Sequence, residues 1–189
     1  MQQNRTMYIN GGKFPNDRNQ TYPWKVLKSQ VKRLVFQSET WAAPDSRHMF
    51  EDMDQLETIE GLNYLRIDDV NNLEYWFSGM TNLKYVDISH FYTDHNSNLS
   101  TGNMFKGCVN LNTITLGKNF TFKYNPYLPL ISKASGKYSG AWQQVETYGN
   151  PLNPQGPFMF NTSDKMYQQY DRAHMSGTYV WQPADITKK

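Results

Sequence analysis

The sequence predicts an α/β fold, a short solenoid of parallel strands joined by short helical turns, because one apolar pattern recurs along the middle of the chain. In each copy an aromatic residue is followed, at steps of three, by Met or Cys, then Leu, then a β-branched residue. The three full copies are Phe50, Met53, Leu56 and Ile59; Phe77, Met80, Leu83 and Val86; and Phe105, Cys108, Leu111 and Ile114. A partial first copy begins at Val31, which aligns with Leu56, Leu83 and Leu111 of the full copies. These four aligned residues lie roughly 25 to 28 positions apart, as in stacked repeats.

The end of each copy, of the form L-x-x-I-x-L, predicts a strand whose last two apolar residues share one side. One such strand cannot bury that side alone, but four stacked strands form a parallel sheet over a continuous core. We therefore expect Ile59, Val86 and Ile114 to lie in one buried column. The segments before two of the aromatic residues, 71–77 and 97–105, carry capping residues and helical spacing, so we expect a helical turn in each. This combination is a leucine-rich-repeat solenoid.

We interpret residues 1–189 as a single domain, which is the expectation for a chain of this length. Residues 1–30 form an N-terminal cap, 31–122 about four leucine-rich repeats, and 123–189 a small β-rich C-terminal cap. One residue is inserted near Gly61, where we expect a bulge.

The two predicted caps contain the remaining elements. A strand around Tyr8 is followed by a helix after Pro23, with Trp24, Leu27 and Val31 on one face.

In the C-terminal part, strands around Trp142 and over 177–181 are expected to pair. A capped helix is expected over 162–170, and the Pro-rich and Asn-rich composition of 150–157 predicts a loop.

Composition excludes several classes of protein. Charged residues make up 19% of the chain, and the formal net charge of +2 is too small to indicate a nucleic-acid or anionic-membrane partner. The sequence contains neither a run of about 18 apolar residues nor a signal peptide, so we expect no membrane insertion by this segment. Cys108 is the single cysteine, which excludes an intrachain disulfide; because it shares a repeat position with Met53 and Met80, we expect it to be buried.

The charge is unevenly distributed, with mostly basic residues before Trp41 and an acidic run from Asp45 to Glu74. This asymmetry could guide a partner, but pairing within the chain is the favoured interpretation.

Candidate catalytic and metal-ligating groups are sparse. His90 and His95 near Asp94 have a weak zinc spacing. A calcium site is a second alternative, but its acidic run lacks the alternating ligand loop of known calcium motifs. That run consists of Glu51, Asp52, Asp54 and Glu57. We predict no enzyme, no cofactor and no metal.

A binding surface is predicted by geometry, because the outward residues of adjacent strands line a shared face of the sheet, which we call the concave face. It comprises Arg33, Val35, Gln37, Thr58, Glu60, Tyr85, Asp87, Ser89, Thr113 and Thr115. This mixture of rings, charges and hydroxyls suits a glycan or a peptide, although an ordinary polar sheet face without a ligand is an equal alternative. Trp41, Tyr64 and Tyr92 could add aromatic platforms, whereas Trp76 beside the repeat Phe is expected in the core.

These residues also bear a resemblance to a family. The form Phe-x-Gly-Met/Cys-x-x-Leu-x-x-Ile/Val, with Met104 before Phe105, resembles the BspA-like leucine-rich-repeat surface proteins of Gram-positive bacteria, particularly lactic-acid bacteria. Further similar segments lie at 12–15, 22–24, 31–36, 43–46, 59–62 and 167–181. The family's usual Asp-Thr-Ser-Asn-Val-Thr between strand and helix is degenerate here, at 66–71 and 92–97.

The resemblance implies an extracellular, wall-attached protein of the adhesin type, of which this chain is one module. Its expected partners are host glycans, mucus or an extracellular-matrix protein, bound without nucleic acid. The alternatives are a structural spacer or a module for homotypic association, as in aggregation or biofilm formation, and a polysaccharide hydrolase ranks last.

Overall fold

The structure, a computed structural model, describes residues 5–16, 22–94 and 96–184. They are mostly β-structure and form a solenoid-like stack of about four turns. The strands are β1 (Thr6–Ile9), β2 (Gly12–Lys13), β3 (Arg33–Phe36), β4 (Thr40–Trp41), β5 (Thr58–Glu60), β6 (Leu65–Arg66), β7 (Tyr85–Ile88), β8 (Thr113–Leu116), β9 (Tyr138–Asn150), β10 (Asn153–Phe160) and β11 (Gly177–Pro183). The helical elements in these residues are two 3₁₀ helices, Pro23–Leu27 and Leu62–Tyr64, and one α-helix, α1 (Ser163–Gln169).

The main strands form two sheets. In the first, β1, β3 and β5 are parallel, and Leu34 lies between Met7 and Ile59. The second has the order β10-β9-β11-β8-β7, in which β7 and β8 are parallel and Val86 lies beside Ile114. Strand β11 runs antiparallel to both β8 and β9. The short strands β2, β4 and β6 form a third, parallel sheet along the stack.

The residues of the predicted apolar column are buried, but they do not belong to a single sheet. Ile59, Val86 and Ile114 are 8%, 1% and 0% exposed and belong to one hydrophobic core. Ile59 lies in the first sheet, however, whereas Val86 and Ile114 lie in the second. The core is therefore continuous, while the expectation of a single continuous sheet was wrong.

The helical turns predicted at 71–77 and 97–105 are absent, so the α component of the predicted fold is largely wrong. Tyr75 and Asn103 have φ angles of 60° and 56°, in the left-handed region that a right-handed helix excludes. The Tyr75 N–H donates to the Gly102 carbonyl at 3.3 Å rather than to a residue four positions earlier. These segments are turns in which some amides, such as those of Tyr75 and Phe77, donate to the next turn of the stack, while others, such as that of Trp76, donate within their own turn.

The inside of the stack is aromatic. The Phe77 ring lies 6.3 Å from that of Phe50 and 5.5 Å from that of Phe105, with nearly parallel planes. Trp76 is fully buried as predicted, and its indole N–H donates to the Ser46 carbonyl at 2.6 Å. The repeat positions therefore form a stacked ladder of rings.

Cys108 is buried as predicted, and its thiol donates to the Phe77 carbonyl at 2.8 Å. Burial raises the pKa of the Cys108 thiol to about 12, so it is protonated at neutral pH.

The helix expected after Pro23 is shorter than predicted, a 3₁₀ helix that ends at Leu27. Trp24 anchors it, because its ring is buried and its N–H donates to the Met49 carbonyl at 2.7 Å.

Two predictions hold in the C-terminal part. Helix α1 is present, with the Thr162 hydroxyl accepting from the Lys165 N–H at 3.1 Å. Strands β9 and β11 pair, with Trp142 opposite Trp181.

The loop predicted at 150–157 was wrong, because most of it belongs to β10. This strand is at the edge of its sheet, a position where proline is tolerated, and it contains Pro154 and Pro157. Gln155, with φ 54°, marks an irregularity in the pairing with β9.

Candidate functional site

A cleft opens on the concave face between β5 and β7. In the described residues these two strands belong to different sheets, because β5 pairs only with β3 and β7 pairs only with β8. The cavity between them has a volume of about 230 Å³, and we call it the central cleft. It is lined by Ile59, Glu60, Gly61, Leu62, Asn63, Tyr85, Asp87 and His90.

The predicted insertion at Gly61 lies at the border of the cleft. Gly61 has φ 72°, and the chain turns there from β5 into the 3₁₀ helix Leu62–Tyr64. A side chain at this position would collide with the Phe36 carbonyl oxygen, so glycine is needed for both conformation and space. The expected bulge is thus a tight left-handed turn, which ends β5 after Glu60.

The predicted outward residues take their expected alternation within each sheet. Arg33 pairs with Thr58, and Val35 with Glu60, in the first sheet. In the second sheet Tyr85 pairs with Thr113, and Asp87 with Thr115. Gln37 and Ser89 follow directly after β3 and β7. Of these ten residues, Glu60, Tyr85 and Asp87 line the central cleft and the others lie outside it.

One wall of the cleft is held by a bidentate ion pair. The Arg33 Nε and Nη2 atoms each lie 2.6 Å from one oxygen of the Glu60 carboxylate. This hydrogen bonding to Arg33 lowers the pKa of Glu60, which is therefore ionised at neutral pH. The pair fixes the direction of a charged group at the edge of β5.

The opposite wall presents an aromatic ring and a carboxylate. Tyr85 is 44% exposed, and desolvation raises the pKa of its hydroxyl, so it is neutral and able to donate. Its oxygen lies 3.5 Å from the Thr115 hydroxyl, which in turn lies 2.9 Å from the Thr178 hydroxyl on β11. The Asp87 carboxylate accepts from the Ser89 N–H at 2.9 Å.

His90 adds an imidazole ring to the cleft. Its Nδ1 lies 3.1 Å from the Ser89 hydroxyl. The Asp87 carboxylate bonds to the Ser89 backbone rather than to this imidazole, so the three side chains do not form the acid–base–nucleophile relay of a hydrolase triad. The absence of enzyme activity stays a prediction.

The acidic run considered for calcium is largely paired with bases. Asp52 lies 3.1 Å from Lys28, Glu57 lies 2.7 Å from Lys32, and Glu51 lies 2.7 Å from His48; these contacts give the intramolecular pairing favoured above. No group of three or more His, Cys, Asp or Glu side chains converges on a possible metal position in the part of the chain that the structure describes. Of the His90 and His95 pair considered for zinc, His95 lies outside the described residues.

Sequence reasoning missed three residues of the concave face. Asn63 and His90 line the cleft, and the insertion at Gly61 was the signal that could have found Asn63. Strand β1 adds Tyr8, 49% exposed, beside Val35, a placement that the repeat pattern does not reach. The predicted aromatic platforms Trp41, Tyr64 and Tyr92 are exposed by 37%, 44% and 42%.

Comparison with protein-family models, curated proteins and solved structures gave no match to this chain. Across 5–16, 22–94 and 96–184, no helix has the length and apolar character required to cross a bilayer.

Proposed function

We propose that this chain is a leucine-rich-repeat module of the BspA-like type, carried on the outside of a Gram-positive cell as part of a wall-attached protein. Its function is adhesion, through recognition of host glycans, mucus or an extracellular-matrix protein at the concave face. The observation that carries the proposal is the central cleft, which brings Glu60, Tyr85 and Asp87 together at the break between the sheets.

The chemistry of the cleft supports a carbohydrate. The half-exposed ring of Tyr85 provides an apolar plate for the face of a sugar, while carboxylates accept from hydroxyl groups. Asn63 and His90 add groups that can donate or accept. A volume of about 230 Å³ is below the usual size of a drug-binding pocket, so one sugar unit of a longer glycan is the natural occupant.

The charge of the cleft favours neutral sugars over acidic ones. Asp87 and Glu60 both line it, and the Arg33 charge is already engaged by Glu60. An acidic sugar would therefore face an uncompensated carboxylate.

A glycan array, with pull-downs from mucus and matrix, tests the proposal at pH 5 and pH 7. We expect binding of neutral glycans that Tyr85→Ala and Asp87→Asn each reduce at least about tenfold, the loss of about 1.4 kcal/mol of contact energy. Tyr124→Ala is the matched control, since Tyr124 is 73% exposed and is outside the cleft. No binding at either pH would reject the proposal.

A second candidate, a spacer that self-associates, is favoured by an exposed apolar patch on the turns. Val109, Tyr127 and Leu130 are 59%, 51% and 85% exposed and line a cavity of about 270 Å³. Light scattering across a concentration series tests it. A mass that rises with concentration, and that Leu130→Lys returns to the monomer value, would support this candidate, whereas a constant monomer mass would reject it.

A further inference from the structure

A second cavity, of about 400 Å³, lies at the C-terminal end of the concave face. Thr113 of β8 and Val180 of β11, which are neighbours in the sheet, form part of its lining. It shares no lining residue with the central cleft, although Tyr85 of the cleft and Thr113 of this cavity are cross-strand neighbours on β7 and β8. We call it the arm cavity.

The arm cavity is completed by the hairpin of β9 and β10. Strand β9 begins beside the cavity at Tyr138 and is thirteen residues long. Its pairing with β10 is irregular on both sides of Gln155, and the hairpin returns so that Pro151 and Leu152 at its tip also line the cavity. Leu152 is 83% exposed, which leaves an apolar side chain at the mouth with most of its surface in water.

The lining is largely apolar and aromatic. The rings of Tyr138 and Trp181 meet edge to face at 5.2 Å, and both line the cavity. The indole N–H of Trp181 is buried without a hydrogen-bond partner among the described residues. A buried donor of this kind is uncommon in folded proteins.

In the described residues, the lining of this apolar cavity contains one cationic side chain, that of Lys137. The Lys137 ammonium lies 5.1 Å from the centre of the Tyr138 ring, and Lys137 itself lines the cavity. The ion pairs of the described residues do not include Lys137, in contrast to Lys28 and Lys32, which are paired with carboxylates. Its charge is thus available to a ligand.

We propose that the arm cavity binds a small amphipathic carboxylate, with its hydrocarbon body against Tyr138, Trp181 and Leu152 and its carboxylate at Lys137. The volume falls within the range of small-molecule sites, and the apolar walls with a single cation match such a ligand in shape and charge. This site is independent of the adhesive function proposed above, because the two cavities share no residue.

The experiment uses octanoate, with octylamine and octanol as probes of equal chain length. Binding is followed by displacement of anilinonaphthalene sulfonate, an apolar anionic dye, and by heteronuclear NMR of the tryptophan indole N–H groups. We expect octanoate to displace the dye and to shift the Trp181 indole signal, assigned with Trp181→Phe, while octylamine does neither. Octanol should bind at least about fivefold more weakly than octanoate, the difference expected for one partly solvated ion pair.

Two variants decide between a charged site and general apolar adsorption. Lys137→Met should weaken octanoate about fivefold and leave octanol unchanged. Lys165→Met, an exposed lysine of α1 outside the cavity, should change neither. Leu152→Ser changes an exposed side chain with little packing to lose, and it should weaken the binding of both octanoate and octanol.

Equal binding of octanoate and octylamine, or an unchanged octanoate affinity in Lys137→Met, would overturn the proposal. Asp87→Asn should leave octanoate binding intact, which separates this test from that of the glycan site.

Discussion

The two main sheets differ in strand direction and in the side-chain interactions that join neighbouring strands. The first is wholly parallel, whereas in the second β11 runs antiparallel to both of its neighbours. Along the first sheet and its flanking turns, neighbouring turns of the stack are joined by exposed ion pairs: Lys28 with Asp52, Lys32 with Glu57, Arg33 with Glu60, and Arg66 with Glu39. The second sheet instead uses neutral groups, such as the row of hydroxyls on Tyr85, Thr115 and Thr178. Exposed ion pairs contribute little and are weakened by salt and acid, whereas neutral hydrogen bonds and buried rings are not. The buried repeat positions therefore set the backbone, while the exposed positions determine how the stability of each region responds to salt and pH.

The largest expected effect comes from the ring that joins the two regions. Phe77→Ala removes a fully buried ring stacked between Phe50 and Phe105, so we expect a loss of about 3–5 kcal/mol in the free energy of unfolding. Urea unfolding followed by both circular dichroism and tryptophan fluorescence measures it. Val109→Ala, at a 59% exposed position, should stay within about 0.5 kcal/mol of the wild type. Two separate transitions in the wild type would show that the regions do not share one core.

The next effect concerns the turn at the boundary. Gly61→Ala should cost about 2–4 kcal/mol, because the new methyl group is strained at φ 72° and also meets the Phe36 carbonyl oxygen. Gly136→Ala is the matched control, since Gly136 has φ 67° with open space around it, and it should cost only about 1–2 kcal/mol. Thermal or urea unfolding compares the two. Equal losses would mean that the contact with Phe36 is unimportant.

The smallest expected effect is a pH dependence of stability that comes from the ion pairs of the first sheet. Hydrogen bonds from Lys32 and Arg33 hold the pKa values of Glu57 and Glu60 below their ordinary value of 4.5. Because the folded-state pKa values are depressed, this stabilisation is present above about pH 4.5 and is lost as pH falls through the lower folded-state values. We expect a Glu57→Gln and Glu60→Gln double variant to show a flatter fall in Tm from pH 5 to pH 3 than the wild type. Glu146→Gln, on the exposed side of β9, should follow the wild-type curve; a double variant that did so too would contradict the expectation.

The sequence predicted the repeating strands, their register and the buried positions, because apolar spacing directly reports which side of a strand faces the core. Ile59, Val86 and Ile114 are buried, and Glu60, Tyr85 and Asp87 face outward as expected. The alternation therefore predicted three residues of the central cleft, but not Asn63, His90 or the break between the sheets.

The remaining features depend on backbone conformation that apolar spacing does not encode. Tyr75 and Asn103 adopt left-handed conformations because their turns bond to the next turn of the stack, and nothing in a tyrosine signals this. The Pro-rich segment at 150–157 forms an edge strand, which composition alone assigns to a loop. The turn at Gly61 follows β5 beside the break between the sheets, and the sequence marked it only as an insertion.

The turns at residues 48–52 and 74–78 belong to the same two levels of the stack as β5 and β7, and their hydrogen bonds have a mechanical consequence. There the backbone remains tied across the boundary: the Asp52 N–H donates to the Ser78 carbonyl at 2.8 Å, and the His48 N–H to the Glu74 carbonyl at 2.9 Å. On the concave face, by contrast, strands β5 and β7 are not paired in the described residues. A load that bends the stack will therefore flex it at this level, with the tied turns as the hinge, and will widen the cleft without parting a pair of strands.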